Sequence, residues 1–337
     1  MAMSSQFLVV VSACSTTKKI ISSKGASNFV GALFIGPPPM IQKLSPCKIN
    51  LLLNILGKRD DGFHELETII MPVPLFDELS YEQKTEGDIQ LTVEGAALTE
   101  GSDNLIVRAA EAFYSCTHGN RHIGIHLKKR IPMEAGLGGG SSNAAITLNA
   151  LNEISGYPLS QQVIEDIAAK IGSDVPFFLH HKPAMAEGRG EQVTSLPSFN
   201  ALTGKTLLLV KPDFGVSTPW AYSALQQSPD LLNGQAGKAK ELVSALSGND
   251  LSQASILFFN SLERPVLEKF PILRLFQTTL KASGAEVTLM SGSGSTTFAI
   301  FPNKQTAEKA IEDFRQGFGS THWVYATELT GNTSALS

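Results

Sequence analysis

The residues best equipped for chemistry lie in one stretch, Pro132-Met133-Glu134-Ala135-Gly136-Leu137-Gly138-Gly139-Gly140-Ser141-Ser142-Asn143-Ala144-Ala145. Four glycines fall within the five residues 136–140, between an alternating apolar segment and an Ala-rich one. Lacking Cβ atoms, such residues let successive backbone N–H groups turn toward one concavity, and a helix beginning there adds the positive end of its dipole. That combination attracts phosphate. The hydroxyls of Ser141 and Ser142 add donors to phosphate oxygens or a ligand for Mg²⁺. The spacing is neither G-x-x-x-x-G-K-[ST] nor G-x-G-x-x-G, so ordinary P-loop and dinucleotide sites are set aside. A glycine turn that merely caps the helix is the competing reading.

Two charged residues elsewhere are candidates to act on such a phosphate. Lys48 stands in the otherwise apolar segment Cys47-Lys48-Ile49-Asn50-Leu51, and on a strand Asn50 shares its face. Burying an unpaired ammonium is costly, so Lys48 either snorkels to solvent or faces a phosphate or carboxylate. Asp174, in Ile171-Gly172-Ser173-Asp174-Val175-Pro176, follows a helix end. It is either a turn residue or a general base beside phosphate. A second glycine run, Ser291-Gly292-Ser293-Gly294-Ser295, has a tight hairpin as its default reading. Taken alone, His64 reads as an exposed loop histidine. His180-His181 matches no ligand spacing and reads as structural.

The elements that must position these residues mix strand and helix. Alternation predicts strands at Ile89–Val93 and His122–Leu127 with a helix from Asn104 to Cys116 between them. Helices follow over Ser141–Ile154 and Ser160–Ile171, where Gly172 occupies the position that favours a left-handed C-terminal residue. Residues 195–204 cluster Pro, Asn and Gly and form the best boundary. Beyond it come a strand (Thr206–Val210), helices (Pro219–Gln227, Lys238–Leu246, Leu262–Ala282), strands (Glu286–Met290, Thr296–Phe301), a helix (Lys304–Gln316) and a strand (Trp323–Thr327). That order is the βαββαβ, ferredoxin-like plan with inserted helices.

Composition narrows the classes. The 337 residues carry 27 Lys+Arg against 31 Asp+Glu, and no basic run exceeds Lys128-Lys129-Arg130, so a nucleic-acid or anionic-membrane footprint has no support. No apolar stretch approaches the ~20 residues of a membrane span. Cys14, Cys47 and Cys116 are odd in number and lack metal-ligand spacing, which argues for a reducing compartment and against zinc. Residues 1–40 are Ser-rich, with no acidic residue before Asp60. They read either as a plastid transit peptide or as an upstream extension of a bacterial cytoplasmic protein starting at Met40, and the short apolar run Phe7–Val11 argues against export.

In order, Pro46-Cys47-Lys48-Ile49-Asn50, Lys58-Arg59-Asp60-Asp61-Gly62-Phe63-His64, the 132–145 loop, Gly172-Ser173-Asp174-Val175-Pro176-Phe177-Phe178, Gly188-Arg189-Gly190-Glu191 and Ser291-Gly292-Ser293-Gly294 resemble the GHMP kinases over roughly residues 41–330. The resemblance implies an α+β, two-lobe GHMP kinase fold: an N-terminal lobe like ribosomal protein S5 domain 2 (41–197) that binds ATP, and a ferredoxin-like C-terminal lobe (198–330), with 331–337 as a tail. The triple glycine 138–140 and Asp61-Gly62-Phe63-His64 point within the family to phosphorylation of the 2-hydroxyl of a cytidine-diphosphate-linked methylerythritol, in non-mevalonate isoprenoid precursor synthesis. Another GHMP kinase, acting on mevalonate, homoserine or a sugar, and a catalytically silent nucleotide sensor are the rivals.

Carried onto this chain, the resemblance implies that residues 132–142 wrap the triphosphate of ATP, with Mg²⁺, and that Asn104 and Lys129 lie near the base. Asp174 takes the proton of the acceptor hydroxyl, and Lys48 sits beside it and the moving phosphoryl group. Asn50, Phe63, His64, Thr218, Pro219 and Tyr222 hold the substrate, with Phe63 opposite Tyr222 across the cytosine and His64 reading its edge. Similar enzymes often carry Tyr where this chain has Phe63. The expected partners are this small molecule and at most a second copy, in a monomer or homodimer, with neither nucleic acid nor membrane.

Overall fold

Two long strands frame the first sheet. β1 (Met40–Lys58) and β2 (His64–Gln83) run antiparallel, with register shifts at Pro46/Cys47, Asn50/Leu52 and Ile55/Gly57. The one-residue bulges at Asn50/Leu52 and Ile55/Gly57 turn side chains to the other face, so β1 does not keep the simple alternation that sequence reading relies on. The computed structural model describes residues 40–227, 232 and 234–329; of the leader read into 1–40 all but Met40, which begins β1, lies outside them, as does the tail 331–337.

After β3 (Gln90–Glu94) the chain forms helix α1 (Leu105–Thr117), returns as β4 (Ile123–Lys128), and continues into α2 (Gly139–Ile154) and α3 (Gln161–Ile171). A short 3-10 turn (Pro176–Leu179) leads to the hairpin β5 (Ala184–Glu187) and β6 (Gln192–Ser195). The predicted strands and helices of this half appear within two residues of their expected ends. Gly172 does not: its φ of −178° and ψ of 154° are extended, because the chain runs straight on into the Ser173-Asp174 turn. Helices α1 to α3 bury one face against β2 and β4 in a core that includes Leu79, Tyr81, Phe113, Ile125, Leu148 and Phe178.

The second sheet is built from β7 (Thr206–Lys211), β9 (Val287–Met290), β10 (Thr297–Phe301) and β11 (Trp323–Glu328), in the order β11-β7-β10-β9 with all neighbours antiparallel. With helix α8 (Pro271–Ala282) before β9 and α9 (Lys304–Phe318) before β11, this is the ferredoxin-like order anticipated from sequence. β7 is buried at all six positions, since Leu207 and Leu209 face one core and Leu208 and Val210 another. The first of these cores is shared with Ile49, Leu51 and Leu137, so the two sheets meet through apolar side chains.

Between β7 and β9 lie α4 (Thr218–Leu225), α5 (Lys238–Leu246), α6 (Leu251–Ser255), β8 (Phe259–Asn260) and α7 (Glu263–Lys269). β8 crosses back to pair parallel with β1 at the edge of the first sheet, whose order is β3-β4-β2-β1-β8 with β5 beside β2 and β6 beyond it. The single helix expected over Leu262–Ala282 is in fact α7 and α8, broken at Phe270. Pro271 has no N–H to continue α7 and disfavours helical geometry at Phe270, but it suits the first turn of α8. No helix among the described residues is long and apolar enough to cross a membrane.

Candidate active site

The glycine-rich stretch leaves β4 under firm control. Asp77, on β2 and fully buried, accepts from the backbone N–H groups of Arg130 and Ile131 at 2.8 Å each and from Lys129 Nζ at 2.6 Å. Four successive carbonyls are then taken up by the surrounding scaffold. Glu134 O accepts from Val216 N (3.2 Å), Ala135 O from Thr296 N (3.2 Å), Gly136 O from Ser291 Oγ (3.0 Å) and Leu137 O from Lys48 N (3.0 Å). In a trans peptide the N–H points opposite to the carbonyl, so the amides of residues 135–138 face away from these partners. Positive φ recurs at Glu134 (49°), Gly136 (72°) and Gly138 (70°), the alternation that curls backbone amides into an anion-binding nest.

Helix α2 begins at the end of this cradle. Its N-cap is Gly138, which supplies no side-chain cap, and its first turn holds no acidic residue. The first N–H groups and the dipole are therefore left for an anion. Gly138 also lets the helix approach closely: a Cβ there would lie 2.9 Å from the Phe178 ring and 3.1 Å from Lys48 Cγ.

That contact helps to place Lys48. Its side chain is 5% exposed, and its Nζ donates to Asn50 Oδ1 and lies 3.8 Å from Asp174 Oδ2. Asn50 is held in turn by a 2.9 Å bond to Thr68 Oγ1. Burial pushes the Lys48 ammonium below the usual lysine range, and the Asp174 carboxylate opposes this in part. Asp174 itself is 41% exposed, in the turn between α3 and the 3-10 segment, so its carboxylate opens to the cleft while the ammonium is enclosed.

At the acceptor end, the turn from β1 to β2 is closed by Arg59 N to Phe63 O (2.8 Å) and Phe63 N to Asp61 Oδ1 (3.1 Å). It delivers Phe63 nearly half exposed and His64 buried. The His64 ring packs on Tyr222 of α4 at 5.1 Å between centroids, and its Nε2 is buried with no hydrogen-bond partner. Burial, with Lys58 nearby, pushes the His64 imidazole below its ordinary range. Burial first and Asp174 second push the Tyr222 hydroxyl upward, keeping it protonated. Thr218 Oγ1 and Ser293 Oγ share a 2.8 Å hydrogen bond.

The glycine cradle, the Lys48–Asp174 pair and the aromatic corner line one cleft of about 1090 Å³. It gathers Lys48, Asn50, Phe63, His64, Asn104, Lys129, every residue from 132 to 141, Asp174, Thr218, Pro219 and Tyr222. Ser142 is the exception among the anticipated site residues. Its hydroxyl is buried on Ser45 Oγ at 2.7 Å and does not reach the cleft, which leaves Ser141 as the hydroxyl at the helix start. Asn104 and Lys129 border the cleft with their polar atoms engaged by protein: Asn104 caps α1, accepting from Ile106 N and donating to Thr99 O, and Lys129 binds Asp77.

Sequence reading missed Asp77 and Arg189. Asp77 had a signal, a carboxylate directly after the apolar run that ends Pro74-Leu75-Phe76. Arg189 stood in a quoted motif without a role; it borders the cleft with its guanidinium carbon 5.0 Å from the Phe63 ring centroid.

Comparison with known proteins agrees with this geometry. The GHMP kinases N terminal domain matches residues 104–182 and the GHMP kinases C terminal domain residues 230–320. The 4-diphosphocytidyl-2-C-methyl-D-erythritol kinase of Thermodesulfovibrio yellowstonii is 38% identical over 270 residues, covering 79% of this chain and 92% of that protein. A crystal structure of 4-(cytidine 5'-diphospho)-2C-methyl-D-erythritol kinase superposes with a TM-score of 0.69 at 32% identity, covering 85% of this chain and 98% of the other. Homoserine kinase from Cytophaga hutchinsonii reaches a TM-score of 0.71 at 17% identity, covering 90% and 99%, a likeness of fold alone. By its two matching domains, and by relatives sharing more than a third of their residues over nearly their full length, this chain belongs to the GHMP kinase family, among the 4-diphosphocytidyl-2-C-methyl-D-erythritol kinases.

Proposed function

We propose that this cleft transfers the γ-phosphoryl group of ATP to the 2-hydroxyl of 4-(cytidine 5'-diphospho)-2-C-methyl-D-erythritol, a step in isoprenoid precursor synthesis. The observation that carries the reading is the Lys48–Asp174 pair, 3.8 Å apart in a cleft lined by both the glycine cradle and the His64–Tyr222 corner. In the proposed roles, the cradle of residues 132–141 holds the triphosphate and Asp174 receives the hydroxyl proton. As the new oxygen–phosphorus bond forms, the bond between the γ-phosphorus and the bridging oxygen breaks and ADP departs. Lys48 stabilises the negative charge that shifts during transfer. With a loose transition state the nucleophile loses its proton late, so alignment by Asp174 matters more than its basicity.

His64 Nε2, buried without a partner, supports cytosine recognition, since a base edge would satisfy it. Phe63 and Tyr222 supply ring faces for stacking, a contact worth ~1–3 kcal/mol per base. The lobes divide, in this proposal, into 41–197 for ATP and 198–330 for completion of the acceptor pocket.

No group of three or more His, Cys, Asp or Glu among the described residues is placed to hold a metal ion. Mg²⁺ keeps several waters and takes few protein ligands, so it would be carried chiefly on the phosphate oxygens. Ser141, at the start of α2, is the side chain that would hold it. When bound it neutralises charge on the β- and γ-phosphates.

A coupled assay of ADP release with the cytidylylated methylerythritol, the free polyol, mevalonate and homoserine tests the reading. Turnover confined to the cytidylylated substrate is expected. Equal turnover of mevalonate or homoserine would overturn the substrate assignment.

A further inference from the structure

The hairpin turn between β5 and β6 carries Gly188-Arg189-Gly190, with φ of 72° and 107° at the two glycines. Those left-handed conformations lift Arg189 out of the turn between residues without side chains. The turn is tied to the aromatic corner, because Leu66 N, two residues beyond His64, donates to Gly188 O at 2.8 Å.

Three contacts fix the arginine. Its Nη2 donates to Ala169 O at 3.1 Å, its Nε lies 3.7 Å from Glu191 Oε2, and its backbone N–H donates to the same oxygen at 2.8 Å. So held, the guanidinium sits over the Phe63 ring, 5.0 Å from the centroid. Asp61, whose Oδ1 accepts from Phe63 N, feels the Arg189 charge as well: its carboxyl is held below the usual range by the Phe63 N–H bond first, with Arg59 and Arg189 contributing.

Phe63 lacks a hydroxyl that could tether its ring to the protein, and 48% of the residue is exposed. A guanidinium placed over an aromatic face supplies a tether of another kind. We propose that Arg189 is a positioning residue for the acceptor: it clamps Phe63 from one side so that the other side presents a fixed platform for the cytosine. The inference rests on the proposed cytidylylated substrate and deepens it, assigning the ordering of the platform to the β5–β6 turn.

The test uses the full chain and three variants, Arg189→Met, Arg189→Lys and Phe63→Leu, with the double variant Arg189→Met/Phe63→Leu. Arg189→Met keeps the aliphatic stem and removes the planar cation. It should raise KM for the cytidylylated substrate about 3- to 30-fold while leaving KM for ATP and the melting temperature near wild type. Arg189→Lys should recover only part of the loss, because an ammonium does not stack as a plane. In the Phe63→Leu background, Arg189→Met should have no further effect on acceptor KM. An unchanged acceptor KM in Arg189→Met would overturn the clamp, and so would fully additive effects in the double variant. Equal rises in both KM values would also do so, by reducing Arg189 to a general structural role. Failure of wild type to turn over the cytidylylated substrate would instead sink the function reading, and the two failures are told apart by running all proteins in one assay.

Discussion

The carbonyl oxygen of Ser291 occupies the space where a Cβ on Gly136 would be built, so the two glycine-rich loops are packed backbone to backbone. Two bonds join them, Ser291 Oγ to Gly136 O and Thr296 N to Ala135 O, and Asn260 Nδ2 of β8 anchors the second loop through Gly292 O. The second loop is thus more than a hairpin between β9 and β10. It is the floor on which the cradle rests.

From this follows a contrast between two glycines. Gly136→Ala meets both a collision and a left-handed φ, each costing about 1–3 kcal/mol, so a clear fall in Tm is expected together with weaker ATP binding. Gly140 has ordinary φ and its nearest neighbour, Leu105 Cδ1, is 3.6 Å from the added carbon. Gly140→Ala should leave Tm unchanged or slightly raised, yet raise KM for ATP roughly tenfold if phosphate oxygens approach this backbone, a loss of about 1.4 kcal/mol. Thermal melting and initial rates separate the two. Equal Tm losses would contradict the packing described.

Much of this was legible in the sequence, and the failures have physical causes. Helix α5 falls on Lys238–Leu246 as expected because its apolar face repeats with helical spacing, and the whole of 132–141 reached one cleft because strand, glycine loop and helix are local in the chain. Ser142 was misread because its burial depends on Ser45, 97 residues away, and nothing local marks that bond. Pro271 is the residue that marks the break between α7 and α8, since it cannot continue α7 and suits the first turn of α8. For Lys48 the sequence left snorkelling and anion-facing equally open. Bulges on either side of it, and Asp174 arriving from α3, settled its burial.

Asp174→Asn should leave the fold intact, since the carboxylate is 41% exposed and its polar contact is the 3.8 Å approach to Lys48. The amide keeps the shape but accepts a proton poorly. A fall in kcat of about 10²- to 10⁴-fold is expected, with KM for ATP within a few-fold of wild type. Steady-state kinetics on both substrates checks it. A kcat near wild type would remove Asp174 from the mechanism.

Lys48 sets up an opposition between stability and activity. Because burial lowers its pKa in the folded state, the folded chain binds fewer protons than the unfolded chain between the two pKa values. The cost of burying the ammonium is therefore fully present below the folded pKa and is relieved as pH rises through it. Activity runs the other way, since a neutral amine cannot stabilise phosphoryl charge, so kcat/KM should fall along an alkaline limb below the ordinary 10.5. Lys48→Met should raise Tm, by about 1 kcal/mol in stability, while turnover collapses. A Tm lowered by this substitution, or an alkaline limb at 10.5 or above, would show that the ammonium is better compensated than the contacts imply.

The Asp77–Lys129 pair predicts an asymmetry between its partners. Removing Asp77 strands a buried ammonium and also orphans the N–H groups of Arg130 and Ile131, so Asp77→Ala should cost about 3–5 kcal/mol. Lys129→Met leaves the carboxylate with both backbone donors and replaces the stem by one of similar length, so its cost should be smaller, about 1–3 kcal/mol. The cation matters less than the anchoring of the chain as it leaves β4, because only the backbone bonds fix where the cradle begins. For the same reason KM for ATP should rise more in Asp77→Ala than in Lys129→Met when both are assayed well below their melting temperatures. Denaturant unfolding gives the stability order and initial rates the affinity order. A Lys129→Met variant that is the more damaged on both measures would reverse the assignment and make the ammonium, rather than the carboxylate, the element that holds the loop.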